Sequence, residues 1–279
     1  MTKSTAKFAE EAKKIKLDQR SKDLRKLVLE GLQGAGRGHV GSAMSFIEIV
    51  RVLYDHIMKY RVDDPAWPER DRFILSKGHG CLGLYAVLAD KGFIAPDELK
   101  TYSMKGSRLG GCCEIIVPGI EATTGALGHG LSVGVGMAMA ALMRDRNSKV
   151  YVLLSDGELA EGSTWEAALC AAKHRLCNLV VMIDYNKVQL AGFTDEISQL
   201  EPLADKWRSF GFELIEVNGH DVNELRCVFE SPMEKPTAVI CHTVKGKGIP
   251  FAEDSAQWHW KNKIDGDLIS RMRLALEEY

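Results

Sequence analysis

The sequence has no apolar run long enough to span a bilayer. The longest, around Gly130–Met143, is rich in glycine and alanine and falls short of the ~20 residues a transmembrane helix needs. It reads as a tightly packed, buried helix. There is no basic excess either: 36 Lys and Arg stand against 38 Asp and Glu, so neither nucleic acid nor an anionic membrane is an expected partner. The seven cysteines are odd in number and form no CxxC pair, which argues against a disulfide framework or a zinc site. They read as small buried hydrophobes in a reducing cytoplasm. No internal repeat, low-complexity run or Pro/Ser-rich linker is present. The first residues, MTKSTAKFAEEAKKIKL, are charged throughout and lack the apolar core of a signal peptide. Two lookalikes fail on spacing. Gly134-Val135-Gly136 has no third glycine and no strand directly before it, and Lys245-Gly246-Lys247-Gly248 lacks the phosphate-loop spacing. The latter repeat reads either as a mobile active-site loop or as a solvated turn.

What is present suits one α/β domain over residues 1–279, with a helical N-terminal segment over about residues 1–70. Residues 5–34 and Ser45–Ile57 carry apolar positions at helical spacing. From residue 72 short apolar runs alternate with helical patterns. The runs are Phe73–Leu75, Val150–Leu154, Leu179–Ile183, Phe212–Val217 and Ala238–Thr243; helical patterns include Ser163–His174 and Pro202–Phe210. Runs that are apolar throughout suit strands buried on both faces. Their alternation with helices predicts a doubly wound, mostly parallel sheet flanked by helices. Ligands bind such sheets beyond the carboxyl ends of the strands, and the polar, glycine-rich segments of this chain fall there.

The segment Val150–Val188 is the most informative. One run ends in Ser155-Asp156-Gly157, and a helix follows, opened by Ser163-x-x-Glu166 in the form of a capping box. The next run ends in Tyr185-Asn186-Lys187. Parallel neighbours would put Asp156 and Asn186 at one rim. A carboxylate beside an amide oxygen suits a hard, oxygen-seeking cation that also binds diphosphate: Mg²⁺, or Ca²⁺ or Mn²⁺. Gly157 would let the backbone approach a phosphate.

This pattern resembles the thiamine-diphosphate motif, which runs Gly-Asp-Gly and ends in Asn-Asn; here Ser155 and Tyr185 depart from it while Asp156 and Asn186 match. The resemblance extends to the N-terminal half of transketolases through five ordered motifs. Gly38-His39-Val40-Gly41-Ser42 looks like the early Gly-His motif and Ser76-Lys77-Gly78-His79-Gly80 like the second histidine motif. Thr123 to Gly130 looks like the cofactor-embracing loop, Asp156 to Gly162 continues the metal motif, and Gln257-Trp258-His259 supplies the last histidine. The resemblance implies that His79 and His259 touch the diphosphate, that His39 and His259 reach the reacting sugar carbons, and that Gly125 and Leu127 hold the aminopyrimidine. Glu158 lies in the cofactor motif beside Gly157. The Val188 carbonyl would join Asp156 and Asn186 on the metal. Glu161 resembles the acidic residue that links active sites across the subunit interface.

Two departures shape the expected function. Full-length transketolases continue into pyrimidine-binding and C-terminal domains, which supply the glutamate that protonates the aminopyrimidine; no counterpart is found here. The resemblance therefore implies one half of a split transketolase, joined in an α2β2 assembly with a separate C-terminal subunit. Such an enzyme transfers a two-carbon ketol unit between sugar phosphates through a thiamine diphosphate ylid. Secondly, Cys112 stands where the family usually has the histidine of Gly-His-Pro, which contacts the donor's terminal hydroxyl. That leaves open an acetyl unit from a 2-oxoacid such as pyruvate. A non-catalytic cofactor-binding subunit is a further alternative, opposed by the intact His39, His79, Asp156, Asn186 and His259; a dehydrogenase is disfavoured by the missing fingerprint.

Overall fold

The computed structural model describes residues 3–279; Met1 and Thr2, the head of the expected domain, lie outside the described residues. The helical spacing over residues 5–34 becomes two helices, α1 (Lys3–Lys14) and α2 (Gln19–Ala35). Asp18 makes the break: its carboxylate accepts from the Ser21 amide at 2.8 Å and caps α2. Gly36, at φ 65°, closes the helix in the left-handed region that glycine tolerates best. Two short helices follow, α3 (Val40–Met44) and α4 (Ile47–Val52), the latter running into a π turn over Leu53–Ile57.

Strand and helix then alternate: β1 (Arg72–Leu75), α5 (Cys81–Asp90), α6 (His129–Met143), β2 (Val150–Ser155), α7 (Gly162–Lys173), β3 (Leu179–Tyr185), α8 (Thr194–Ile197), α9 (Leu203–Ser209), β4 (Glu213–Asn218), α10 (Val222–Glu230), β5 (Thr237–His242) and α11 (Gly266–Glu278). Among the described residues one sheet forms, in the order β1-β2-β3-β5-β4, and every neighbouring pair is parallel. The expected α/β architecture is what folds.

Alternate residues of each strand enter different cores. Phe73, Leu75, Tyr151, Leu153, Val180 and Met182 pack with the N-terminal helices, α5, α10 and α11. Ile74, Val150, Val152, Leu154, Val181 and Ile183 pack with α6, α7 and α9. Both faces are thus covered, which is why the strands read as unbroken apolar runs. Glycine sets how close α6 comes: a Cβ on Gly134 would lie 2.5 Å from Val152. No helix of the described residues is long and apolar enough to cross a membrane.

Three expectations are corrected. The helix α6 is not buried all round. Gly130, Leu131, Gly134, Val135, Ala138 and Ala141 face inward, whereas Val133, Leu142 and Met143 are exposed, Met143 at 82%. Ser163 does not cap α7. Glu161 occupies that position without a side-chain cap, and the Ser163 hydroxyl donates instead to the Gly128 carbonyl at 3.0 Å. A tertiary partner has outcompeted the local one. The Gly-Lys repeat is neither mobile nor solvated: Lys245 and Lys247 are 2% and 0% exposed. The Lys247 ammonium donates to the Ala12 carbonyl at 2.8 Å and that of Lys13 at 3.1 Å, where α1 leaves carbonyls unpaired.

Candidate active site

The carboxyl ends of β1, β2, β3 and β5 meet at one rim, and each delivers a charged or polar group. From β2 comes Asp156, 2% exposed. Its carboxylate accepts from the Gly157 amide at 2.7 Å and, across the gap between strands, from the Lys187 amide at 2.5 Å. From β3 comes Asn186, whose amide oxygen accepts from the Val188 amide at 3.1 Å and so turns the chain sharply. The Val188 carbonyl accepts from the Lys245 ammonium at 2.6 Å. Asp156, Asn186 and the Val188 carbonyl are therefore gathered at adjacent strand ends, where the sequence put them. Burial, reinforced by nearby Asp184, pushes the Asp156 carboxyl up to about 6. Among the described residues no cluster of three His, Cys, Asp or Glu side chains stands ready for a metal; this set offers one carboxylate, one amide and one carbonyl, all oxygen.

Behind that rim lies a second layer that local sequence patterns did not reveal. Lys77, just after β1, is buried against Asp184 near the end of β3, and the Asp184 carboxylate also accepts from Ser45 at 2.5 Å and from Thr243. Burial works against ionisation of Asp184, but Lys77 and the two hydroxyls outweigh it and hold the group below its usual range. Lys245 is half of the same logic: burial lowers it to about 8 while Asp156 pulls the other way.

The three expected histidines converge. Ring centroids of His39 and His79 lie 5.2 Å apart, His39 and His259 5.4 Å, and His79 and His259 5.3 Å. Trp260 packs edge-on against His39 at 4.5 Å. A two-way backbone bridge between Gly38 and Lys261, 3.0 Å in each direction, holds the outer two motifs together. All three imidazoles are driven toward the neutral form by burial first and by Lys245 and Lys77 next; His39 falls to about 4, His259 to about 3, and His79 well below the usual value. Lys245 donates to His259 Nδ1 at 2.9 Å, so the His259 proton sits on Nε2. The His39 Nδ1 is buried and lacks a partner among the described residues.

Residues 123–130 pack over this cluster. The Thr124 hydroxyl donates to the Leu75 carbonyl at 2.7 Å. Gly125, at φ 155°, presses on Cys112: a Cβ there would sit 3.1 Å from the Cys112 sulfur. Leu127 is half-buried beside it and Cys112 is also half-buried. Burial and then Glu114 raise the Cys112 thiol, so it is a neutral neighbour and no nucleophile. Glu158 does not present its carboxylate to the rim. It is fully buried, accepting from Ser76, from the Gly128 amide at 2.7 Å and from the Ser155 amide at 3.3 Å. It ties three motif segments together from behind. Glu161 is exposed at the start of α7, with its Cβ close to Gly128. Gly157, half-buried, leaves the β2 end open to close approach.

Comparison with known proteins agrees with this layout. A family model described as "Transketolase, thiamine diphosphate binding domain" matches residues 17–276. One of the two subunits of an apulose-4-phosphate transketolase from Phocaeicola vulgatus is 44% identical over 87% of this chain and 88% of its own length. A 6-deoxy-6-sulfo-D-fructose transketolase subunit from a Clostridium species is 42% identical over 88% and 90%. Human transketolase is 40% identical over 84% of this chain, which spans only 38% of the human protein. The transketolase structure from Campylobacter jejuni superposes with a TM-score of 0.87 at 30% identity, covering 94% of this chain and 43% of that one. The chain belongs to the transketolase family, and what it carries is that family's thiamine-diphosphate-binding domain.

Proposed function

We propose that this chain is the diphosphate-binding subunit of a two-subunit transketolase. It would transfer a two-carbon ketol unit from a ketose phosphate to an aldehyde acceptor, in the cytoplasm, as an α2β2 assembly in which residues 1–279 act as one domain. The observation that carries the reading is the gathering of Asp156, Asn186 and the Val188 carbonyl beside three neutral imidazoles at one sheet edge. The residues fit the cofactor and its metal. The oxygen set matches a hard divalent cation such as Mg²⁺. The desolvated Asp156 carboxyl gains most from a cation, the unpartnered His39 Nδ1 calls for a polar partner, and Gly125 leaves a cradle without a Cβ.

When bound, thiamine diphosphate supplies the electron sink that carbon–carbon cleavage requires. The chain's own residues do the rest. Asp156, Asn186 and the Val188 carbonyl hold the metal and, through it, the diphosphate. His79 and the Nε2 proton of His259 donate to phosphate oxygens. Lys77 and Lys245 supply positive potential in a site of low dielectric, where fixed charges act strongly. His39 and His259, kept neutral, are free to take a proton from a sugar hydroxyl and return it. Gly125 and the Leu127 backbone hold the aminopyrimidine. Glu161, exposed beside Gly128, reaches toward the partner.

The near full-length match to relatives named as transketolase subunits supports a separate partner subunit, carrying the pyrimidine-binding and C-terminal domains. The exposed apolar side of α6 supports the contact with it. One observation favours a second reading: the neutral Cys112 against Gly125 is smaller and less polar than a histidine, and suits the methyl of a pyruvate-derived acetyl unit. The test is to co-express this chain with the transketolase C-terminal subunit encoded beside it and to assay ketol transfer with Mg²⁺ and thiamine diphosphate. Turnover is expected from the pair and not from this chain alone. Robust turnover by this chain alone would refute the two-subunit reading.

A further inference from the structure

Deep to the site, three ionisable side chains are buried together far from any strand end. Arg25 of α2, Glu48 of α4 and His220 after β4 are 0%, 1% and 2% exposed. The Glu48 carboxylate accepts from Arg25 Nη1 at 2.5 Å and Nη2 at 3.0 Å. It also lies 2.8 Å from His220 Nδ1. The other ring nitrogen, His220 Nε2, accepts from the Val244 amide at 2.9 Å. Its proton is therefore on Nδ1, donated to Glu48, and the ring is neutral. Arg25 Nε donates to the Lys247 carbonyl at 2.8 Å. The triad thus grips the backbone at two points, one residue before Lys245 and two after it.

We propose that Arg25, Glu48 and His220 are positioning residues that set Lys245 in the site. This rests on the functional reading above. Lys245 is where the two halves of the rim meet, since its ammonium touches both the Val188 carbonyl and His259 Nδ1. A displacement of its backbone moves a carbonyl of the expected metal set and a catalytic imidazole together. Burying three ionisable groups is a costly way to fill a core, because apolar residues of similar volume do it as well or better. Convergence of both backbone contacts on one short turn explains what the expense secures: a fixed direction for a long, otherwise flexible side chain.

The test compares wild type, His220→Leu, His220→Asn and His220→Gln in the full chain. Leu and the shorter Asn remove the acceptor for the Val244 amide, whereas Gln restores an acceptor of similar reach. The first readout is reductive methylation followed by peptide mapping. Lys245 is expected to be protected in wild type and in His220→Gln. It should be labelled about tenfold faster in His220→Leu and His220→Asn, with Lys77, held by Asp184, protected in all four. The second readout is calorimetric affinity for thiamine diphosphate with Mg²⁺, expected to fall on the order of 10–100-fold in the Leu and Asn variants, the range for groups one shell behind a metal, and to recover with Gln. Unchanged Lys245 labelling, or labelling of Lys245 and Lys77 in step, overturns the proposal, since the latter is general loosening. Absence of cofactor binding by wild type counts against the functional reading instead, and leaves the labelling to decide this one.

Discussion

The strand-end rim and the outer side of α6 and α7 are opposite departures from the ordinary distribution of residues. At the rim, Lys77, Asp156, Glu158, Asp184 and Lys245 are buried, where charged side chains are seldom found unless paired. On the outer side, Val133, Leu142, Met143 and Leu169 stand 40%, 40%, 82% and 58% exposed, where a contiguous apolar group marks a contact surface. Nearly every charge at the rim has a partner within the chain, so that region is built to hold its shape before a ligand arrives. The apolar side has no such closure. The difference teaches that cofactor binding and assembly are separable properties, located on different elements, and each can be damaged alone.

Removing the rim carboxylate is expected to have the largest effect. Asp156→Ala should weaken thiamine diphosphate binding with Mg²⁺ by at least about 100-fold, beyond what groups behind a metal contribute. Melting temperature should stay near or above wild type, because the change deletes a desolvated carboxyl. Calorimetry and a thermal melt on the same sample check both halves, and normal binding by the variant would remove Asp156 from the metal set. The converse change is Met143→Asp with Leu169→Asp. It should leave cofactor affinity of the chain alone unaltered while weakening association with the partner subunit by about tenfold or more, as a charge placed in an apolar contact does. Sedimentation of the mixed subunits reads this out, and undiminished association would move the interface elsewhere.

A smaller effect is expected at the mouth. Cys112→His should shift the preference between a ketose phosphate and pyruvate toward the ketose by about tenfold, the worth of one hydrogen bond. An unchanged ratio would detach Cys112 from donor choice.

Much of this comparison was legible in the sequence, and the exceptions share a cause. The five strands were readable because both faces of the sheet are covered, so each strand is a run of apolar residues with polar punctuation at its end. Asp156 and Asn186 were readable for the same reason: the punctuation after β2 and β3 is where ligands gather. Lys77 and Lys245 were not, because their partners lie 107 and 57 residues away and a lysine beside a glycine looks solvated when seen alone. Ser163 misled because a capping box is a local rule and the Gly128 carbonyl is a distant competitor. The Gly/Ala texture of α6 is common to a helix buried in its own fold and to one that buries a side against another chain. Glu158 carries no local sign that its carboxylate points inward to Ser76 and Gly128.

The smallest expected effect is on the pH dependence of stability, and its sign follows from the rim's histidines. In the unfolded chain an imidazole takes up a proton near 6.5, whereas folded His39 does so only at about 4 and His259 at about 3. Between about pH 6.5 and 4 the unfolded state therefore binds more protons, and stability falls as pH falls through that window. Asp156 acts in the opposite sense. Its folded value of about 6 lies above the ordinary 3.8, so the folded state takes up a proton that the unfolded state does not, and stability rises as pH falls from 6 toward 4. His39→Gln should therefore flatten the dependence of the cofactor-free chain on pH by about one proton, and Asp156→Ala should steepen it. Thermal melts from about pH 8 to 4.5 measure both against wild type. The apolar side of α6 and α7 provides the control: Met143→Asp titrates in the open, near its ordinary value, and should leave the profile where it was. If His39→Gln and wild type follow the same curve between pH 6.5 and 4, His39 is not held neutral by its burial, and its part as a proton carrier at the rim falls with it.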